Sequence, residues 1–168
     1  FDPNPLIKKI FTNNLHLNKG VEKHVRFFAN ALGETIGQSY FSFYDGNSGG
    51  GALGSETGIL VDLSTLDNFC EEQGIRRIDF IKIDVEGYEP FVIGGGAEMI
   101  RRCRPDMYIE MTPGLFSKYG RSAEEIFDFL FGLGYRIYLE EEGLKELKPQ
   151  AVSETIARYP QFNILVKK

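Results

Sequence analysis

Between Ile78 and Pro90 the chain reads Ile78-Asp79-Phe80-Ile81-Lys82-Ile83-Asp84-Val85-Glu86-Gly87-Tyr88-Glu89-Pro90, and this stretch limits the possible folds more than any other. Ile78 to Ile83 is a nearly continuous apolar run of strand length, the pattern of a strand covered on both faces. Side chains alternate along a strand. Lys82, Asp84 and Glu86 therefore share one face if the strand persists, and Ile81, Ile83 and Val85 turn the other way, into a core. Three charges at the C-terminal end of a buried strand are costly unless paired or used. In open α/β sheets that end is where ligands bind. Pro90 to Arg102 reads as the following helix, whose positive dipole end lies nearby. A plainer reading stands beside this one. A Lys82–Asp84 or Lys82–Glu86 pair settles the strand end, and Glu86 and Glu89 are only N-terminal helix charges.

The flanking sequence supplies alternating strands and helices. Asn4-Pro5 starts a helix, with Asn capping free amides and Pro at the first helical position. Val25 to Ala29 and Ser39 to Tyr44 read as strands. Asp45 to Gly54, with five Gly among ten residues, reads as a mobile loop. Ile59 to Leu63 is strand-like, and Ser64 or Thr65 caps a short helix through Glu72 that Gly74 stops. Gly94-Gly95-Gly96 falls inside the Pro90–Arg102 helix and signals close packing or a kink. Met107 to Met111 is the next strand. Ser122 to Leu133 is the clearest helix, with a Ser122/Glu125 capping box. Tyr135 to Leu139, Leu144 to Leu147 and Phe162 to Val166 are further strands, and Ser153 to Arg158 is a helical turn. The expected architecture is one α/β domain with a largely parallel sheet.

Composition narrows the function classes. The 168 residues suffice for one domain with a real core, and 42% hydrophobic with 26% charged residues is the mix of a globular protein. The net charge of −5, without a Lys/Arg block, makes nucleic acid a poor partner. No apolar run is long enough to span a bilayer, so no membrane partner is expected. Cys70 and Cys103 match neither a zinc site nor a redox pair and read as reduced thiols, which fits a cytoplasmic location.

Glu110 ends the strand after the acidic stretch. Neighbouring parallel strands bring their ends together, so Asp84, Glu86 and Glu110 are expected to converge. Three oxygen donors can hold a hard cation. Without His or a further carboxylate, the set is not assigned as a metal site. A nucleotidase reading needs a GxxxxGK[ST] loop, and the sequence has none.

Asp79 to Glu89 resembles the signature of FkbM-type methyltransferases. Gly96-Ala97, Arg104-Pro105 and the strand ending in Glu110 follow at the family's distances. Upstream, Phe1-Asp2-Pro3-Asn4-Pro5 is similar to the family's motif after strand 2, and Asn30-Ala31-Leu32-Gly33 to its motif after strand 3. Asn47-Ser48-Gly49-Gly50 and Thr65-Leu66-Asp67 also match. The resemblance implies a class I, Rossmann-like methyltransferase fold using S-adenosylmethionine to methylate a hydroxyl on a sugar, glycan or secondary metabolite. It implies that Asp2 holds the ribose diol, with Asn4 beside it. Asn30 and Ala31 lie near the adenine. Asp84 and Glu86 face the transferred methyl and the acceptor, with Asp84 the first choice of base and also a cofactor contact.

The family's first strand, its glycine-rich loop and most of its second strand have no counterpart. The expectation is a single domain over residues 1–168, incomplete at the N-terminus, with open strand edges and no activity in isolation. Two rivals remain: a cation-dependent O-methyltransferase, and a non-catalytic module that keeps the fold for protein contacts. The oligomeric state is left open.

Overall fold

The structure is a computed structural model that describes residues 1–44, 47–54 and 57–168, except the side chains of residues 44 and 47–49. The chain begins with α1 (Pro5–Leu17), β1 (Ala31–Leu32), β2 (Gly37–Tyr44), β3 (Asn47–Leu53), β4 (Ile59–Ser64) and α2 (Leu66–Glu72). It continues with β5 (Phe80–Ile83), α3 (Glu89–Gly95), α4 (Ala97–Cys103), β6 (Asp106–Met111) and α5 (Pro113–Phe116). It ends with α6 (Ala123–Gly132), β7 (Arg136–Leu139), β8 (Lys145–Leu147), α7 (Val152–Arg158) and β9 (Phe162–Lys167).

The strands form two mixed sheets, ordered β1-β4-β2-β3 and β5-β6-β9-β7-β8. Only β1–β4 and β5–β6 pair in parallel; the other pairings are antiparallel. The α/β expectation stands, and the largely parallel sheet is corrected. The reason lies in the connections. Helices α3 and α4 carry the chain from β5 over to a parallel β6, whereas β2–β3 and β7–β8 turn back directly, and β9 inserts antiparallel between β6 and β7.

Three local readings also change. Val25–Ala29 is not a strand; only Ala31 and Leu32 pair there, with β4. Its phenylalanines pack instead of pairing: Phe27 lies against Phe11, and Phe28 against Phe1 and Phe69. Most of the expected glycine loop is β3, with Asp45 and Gly46 outside the described residues. The glycines make room for a ring, since a Cβ on Gly51 would lie 2.3 Å from Cζ of Phe41. The Pro90–Arg102 helix is two helices divided at Gly96. Gly95 lies so close to the turn after β1 that a Cβ would meet the Gly33 carbonyl oxygen at 1.9 Å. Asp67 then caps α4, accepting the Glu98 and Met99 N–H groups at 3.0 and 2.8 Å.

The main core joins one face of the five-stranded sheet to α3, α4, α6 and α7 through residues such as Ile100, Ile109, Leu130 and Ile164, all 0% exposed. Along β6 and β9 buried residues alternate with half-buried ones, so this sheet has one fully covered face. β5 is an edge strand paired only with β6, and Phe80 is 54% exposed. The reading of Ile78–Ile83 as covered on both faces is thereby corrected. Ser122 opens α6 as anticipated, its N–H donating to Glu125 Oε1 at 2.9 Å. Cys70 is buried and Cys103 half-buried, both free. No helix among the described residues is long and apolar enough to cross a membrane.

Candidate functional site

A cleft of about 340 Å³ opens at the C-terminal end of β5, between the two sheets and the N-terminal segment. Asp2, Asn4, Asn30, Ala31, Asp84 and Glu86 all line it. One end is formed by the chain's first residues and the Asn30–Leu32 segment. Phe41, Leu53 and Leu66 supply apolar wall, and residues 81–86 form the other end. Among the described residues its charged lining is the carboxylates of Asp2, Asp84 and Glu86 against the ammonium of Lys82. The arrangement suits a partly apolar ligand carrying positive charge.

At the first end, backbone turns fix the polar groups. Asp2 Oδ1 accepts the Asn4 N–H at 2.9 Å, and the Asp2 N–H donates to the Phe28 carbonyl at 3.1 Å. Asn4 is buried and its Oδ1 caps α1 by accepting the Leu6 N–H at 3.0 Å. That oxygen is therefore committed to the helix. Asn30 Nδ2 reaches only the adjacent Ala31 carbonyl, at 3.4 Å. Ala31 itself is held in β1, and the Gly33 N–H continues the pairing to the Ser64 carbonyl at 2.9 Å.

At the second end, the strand does not persist as the alternation argument required. β5 stops at Ile83, Glu86 has φ 53° and Gly87 φ 98°. Val85, expected in a core, is 37% exposed and lines the cleft. Lys82 and Asp84 pair across two positions at the strand end, whereas Glu86 reaches the cleft from the turn that follows. Lys82 Nζ donates to Asp84 Oδ2 at 2.6 Å, the pair the plainer reading foresaw. Both side chains are exposed, so the pair contributes at most about 1 kcal/mol to stability.

Glu110 does not line the cleft, but it lies near enough to feel the charges of Asp84 and Glu86. Burial pushes the Glu110 carboxyl up, and the charges of Asp84 and Glu86 push it further, while the Gln161 amide donating at 2.6 Å pulls it down. Among the described residues no three His, Cys, Asp or Glu side chains are grouped closely enough to hold a metal ion.

The segment after Glu110 lies away from the cleft. Segment Thr112–Arg121 does not line the cleft. Phe116 is 0% exposed, and Tyr119 packs edge-on against Tyr88 and Phe91 while its hydroxyl donates to the Leu53 carbonyl at 3.1 Å. Neither ring is free to stack on a sugar. Within the glycine-rich stretch, Gly50, Gly51 and Leu53 do line the cleft.

Sequence reasoning passed over Glu89, taken only as a helix-end charge. It is 0% exposed, its Oε1 accepts the Val85 N–H at 2.9 Å, and its Oε2 has no partner. Burial pushes its carboxyl up to about 7, against the pull of the Val85, Glu89 and Gly87 N–H groups. Its position just before Pro90, in a run with apolar Phe91, Val92 and Ile93, was the available sign of burial.

Comparison with known proteins agrees with this architecture. The solved FkbM methyltransferase of Methylobacillus flagellatus KT superposes with a TM-score of 0.55 at 17% identity, over 97% of this chain and 34% of that one, a likeness of fold. The 2-O-methyltransferase NoeI of Sinorhizobium fredii (strain NBRC 101917 / NGR234) is 44% identical over 46 residues, which are 27% of this chain and 19% of that protein. This chain thus corresponds to a minor part of either protein's length. The model of the methyltransferase FkbM domain matches residues 1–137, most of the sequence, and the chain belongs to that family.

Proposed function

We propose that the cleft is a site for methyl transfer from S-adenosylmethionine to a hydroxyl of a sugar, glycan or secondary metabolite, with residues 1–168 acting as one methyltransferase domain. The observation that carries this reading is the single cleft shared by Asp2, Asn30 and Ala31 at one end and Asp84 and Glu86 at the other. Its three carboxylates suit a donor with a sulfonium and an ammonium. Its apolar wall of Phe41, Leu53 and Leu66 suits a heterocycle. When bound, the cofactor supplies an electrophilic methyl carbon.

The chain's own residues have separable tasks. Asp2 accepts hydrogen bonds from a ribose diol, with one oxygen already anchored by Asn4. Ala31 and Leu32 offer a flat apolar wall beside it. Asp84 takes the proton from the acceptor hydroxyl as its oxygen becomes the nucleophile, with Glu86 the alternative base. Lys82 holds the Asp84 carboxylate in place at 2.6 Å. The 2-O-methyltransferase name of the relative from Sinorhizobium fredii favours a carbon-bound hydroxyl as acceptor.

The test is Asp84→Asn in the full-length protein, assayed for transfer of a labelled methyl to a panel of sugars and oligosaccharides. Loss of a positioned general base lowers kcat by about 10²–10⁴-fold. S-adenosylhomocysteine affinity should change far less. Undiminished transfer by the variant removes Asp84 from the mechanism.

A further inference from the structure

The acidic turn that carries Asp84 and Glu86 is an improbable piece of backbone. Glu86 is a non-glycine residue in the left-handed region, at φ 53°, a conformation that is strained for an L side chain and persists only where the surroundings enforce it. Gly87 follows at φ 98°, and a Cβ there would lie 2.5 Å from Cβ of Leu115. Leu115 therefore packs against one side of the turn. On another side stands Glu89, fully buried and absent from the cleft lining.

A buried carboxylate with one orphaned oxygen is a poor choice for packing alone. An apolar residue of similar size would avoid the cost of desolvating the charge. A charge that only favours a helix N-terminus sits in water, and this one does not. What the carboxylate has instead is the backbone of the preceding turn. Its Oε1 accepts the Val85 N–H at 2.9 Å, and the N–H groups of Gly87 and of Glu89 itself also favour its charged form. A charged acceptor makes such bonds about twice as strong as a neutral one.

We propose that Glu89 is the positioning residue of this site: its buried carboxylate pins the backbone of residues 85–87 and thereby fixes where Asp84 and Glu86 stand on the cleft wall. The role in catalysis rests on the methyl-transfer reading above; the pinning itself does not. Two other titratable groups act on the same carboxylate. Glu110 on β6 adds to the rise of its pKa, and the Tyr119 phenol, in the turn after α5, feels its charge. Glu89 touches neither donor nor acceptor in this account and acts through the turn alone.

The experiment uses NMR and kinetics on the full-length protein with Glu89→Ala and Glu89→Gln. In Glu89→Ala the Val85 and Gly87 amide signals should move and their hydrogen exchange quicken by about tenfold or more, while β6 and β9 amides stay in place. The Glu110 carboxyl, no longer held beside Asp84 and Glu86, should titrate lower than in the parent. S-adenosylhomocysteine affinity should stay within roughly threefold, and kcat should fall by about ten- to a hundredfold with KM little changed, as for a misplaced catalytic group. Glu89→Gln keeps an acceptor for the Val85 N–H but loses the charge that strengthens the bond; it should recover part of kcat and still shift the Val85 amide signal, so it carries the test if the alanine variant does not fold. Unmoved Val85 and Gly87 amides overturn the proposal, as does a disturbance spread evenly over β6 and β9. A turn freed without any fall in the parent's methyl-transfer kcat also overturns the positioning role. The amide readout needs no substrate. A freed turn in a protein that methylates nothing therefore supports the pinning and counts against the methyl-transfer reading instead.

Discussion

Around β6 and β9 the side chains of Met107, Ile109, Met111, Ile164 and Val166 have no exposed surface, whereas α1 buries none of its residues. The four-stranded sheet lies between these extremes, its cluster of Phe41, Leu53, Val61 and Leu63 each 7–9% exposed. The cleft is built where the two halves meet. Its acidic end stands on the densely packed half, through β5 and the turn before α3. Its other end depends on the lightly packed one. Chemistry that needs an oxygen placed within a fraction of an ångström is served by the first. A long, flexible ligand held by many weak contacts tolerates the second.

The sharpest way to break this contrast is to cut the same side chain in each half. Ile109→Ala should cost about 3–4 kcal/mol in urea unfolding, because its cavity is walled by residues that cannot collapse into it. Ile10→Ala in α1, where the side chain is 46% exposed, should cost less than about 0.5 kcal/mol. Equal losses would show that the N-terminal half is packed as tightly as the other. A smaller effect is expected at the joint itself. Gly95→Ala forces a methyl against the Gly33 carbonyl oxygen, 1.9 Å from the ideal Cβ position. Either α3 or the turn after β1 must move, at about 1–3 kcal/mol. Unchanged stability there would mean that the halves meet loosely.

The same contrast decides what could be read from the sequence. In the packed half several elements were legible because their signals are local, although the direction of its strands, the open face of β5 and the break at Gly96 were not. The Ser122/Glu125 capping box at the start of α6 specifies one answer, and the strand read at Met107 to Met111 is found as β6. The lightly packed half was misread where the local signal is ambiguous. Phe27 and Phe28 look like strand residues, yet their rings satisfy themselves against Phe11, Phe1 and Phe69 without a pairing partner. Glycines 49–51 look like a loop, yet they lie in a strand, and at Gly51 the ring of Phe41 fills the space that a side chain would have taken. This is tertiary context overriding propensity.

At the site, the residue types of the acidic stretch pointed to one rim, and Asp84 and Glu86 do line it, while Glu110 stays outside the lining. The route was different, since the chain turns after Ile83 rather than continuing the alternation. Glu89 was invisible to that argument. Periodicity places a side chain on a face, but it does not say whether a carboxylate faces water or the backbone it follows. The separation of the two carboxylate ends by an apolar wall also appears only in three dimensions.

The account rests on the cleft being one binding site that spans both halves. Calorimetric titration of S-adenosylhomocysteine into the full-length protein, and into its Asp2→Ala and Ile10→Ala variants, tests that most directly. The predicted result is saturable one-site binding that Asp2→Ala weakens by about tenfold, the scale of a lost charge-assisted hydrogen bond, while Ile10→Ala binds as the parent does. Absence of binding to the parent, or binding that is indifferent to Asp2, would contradict it.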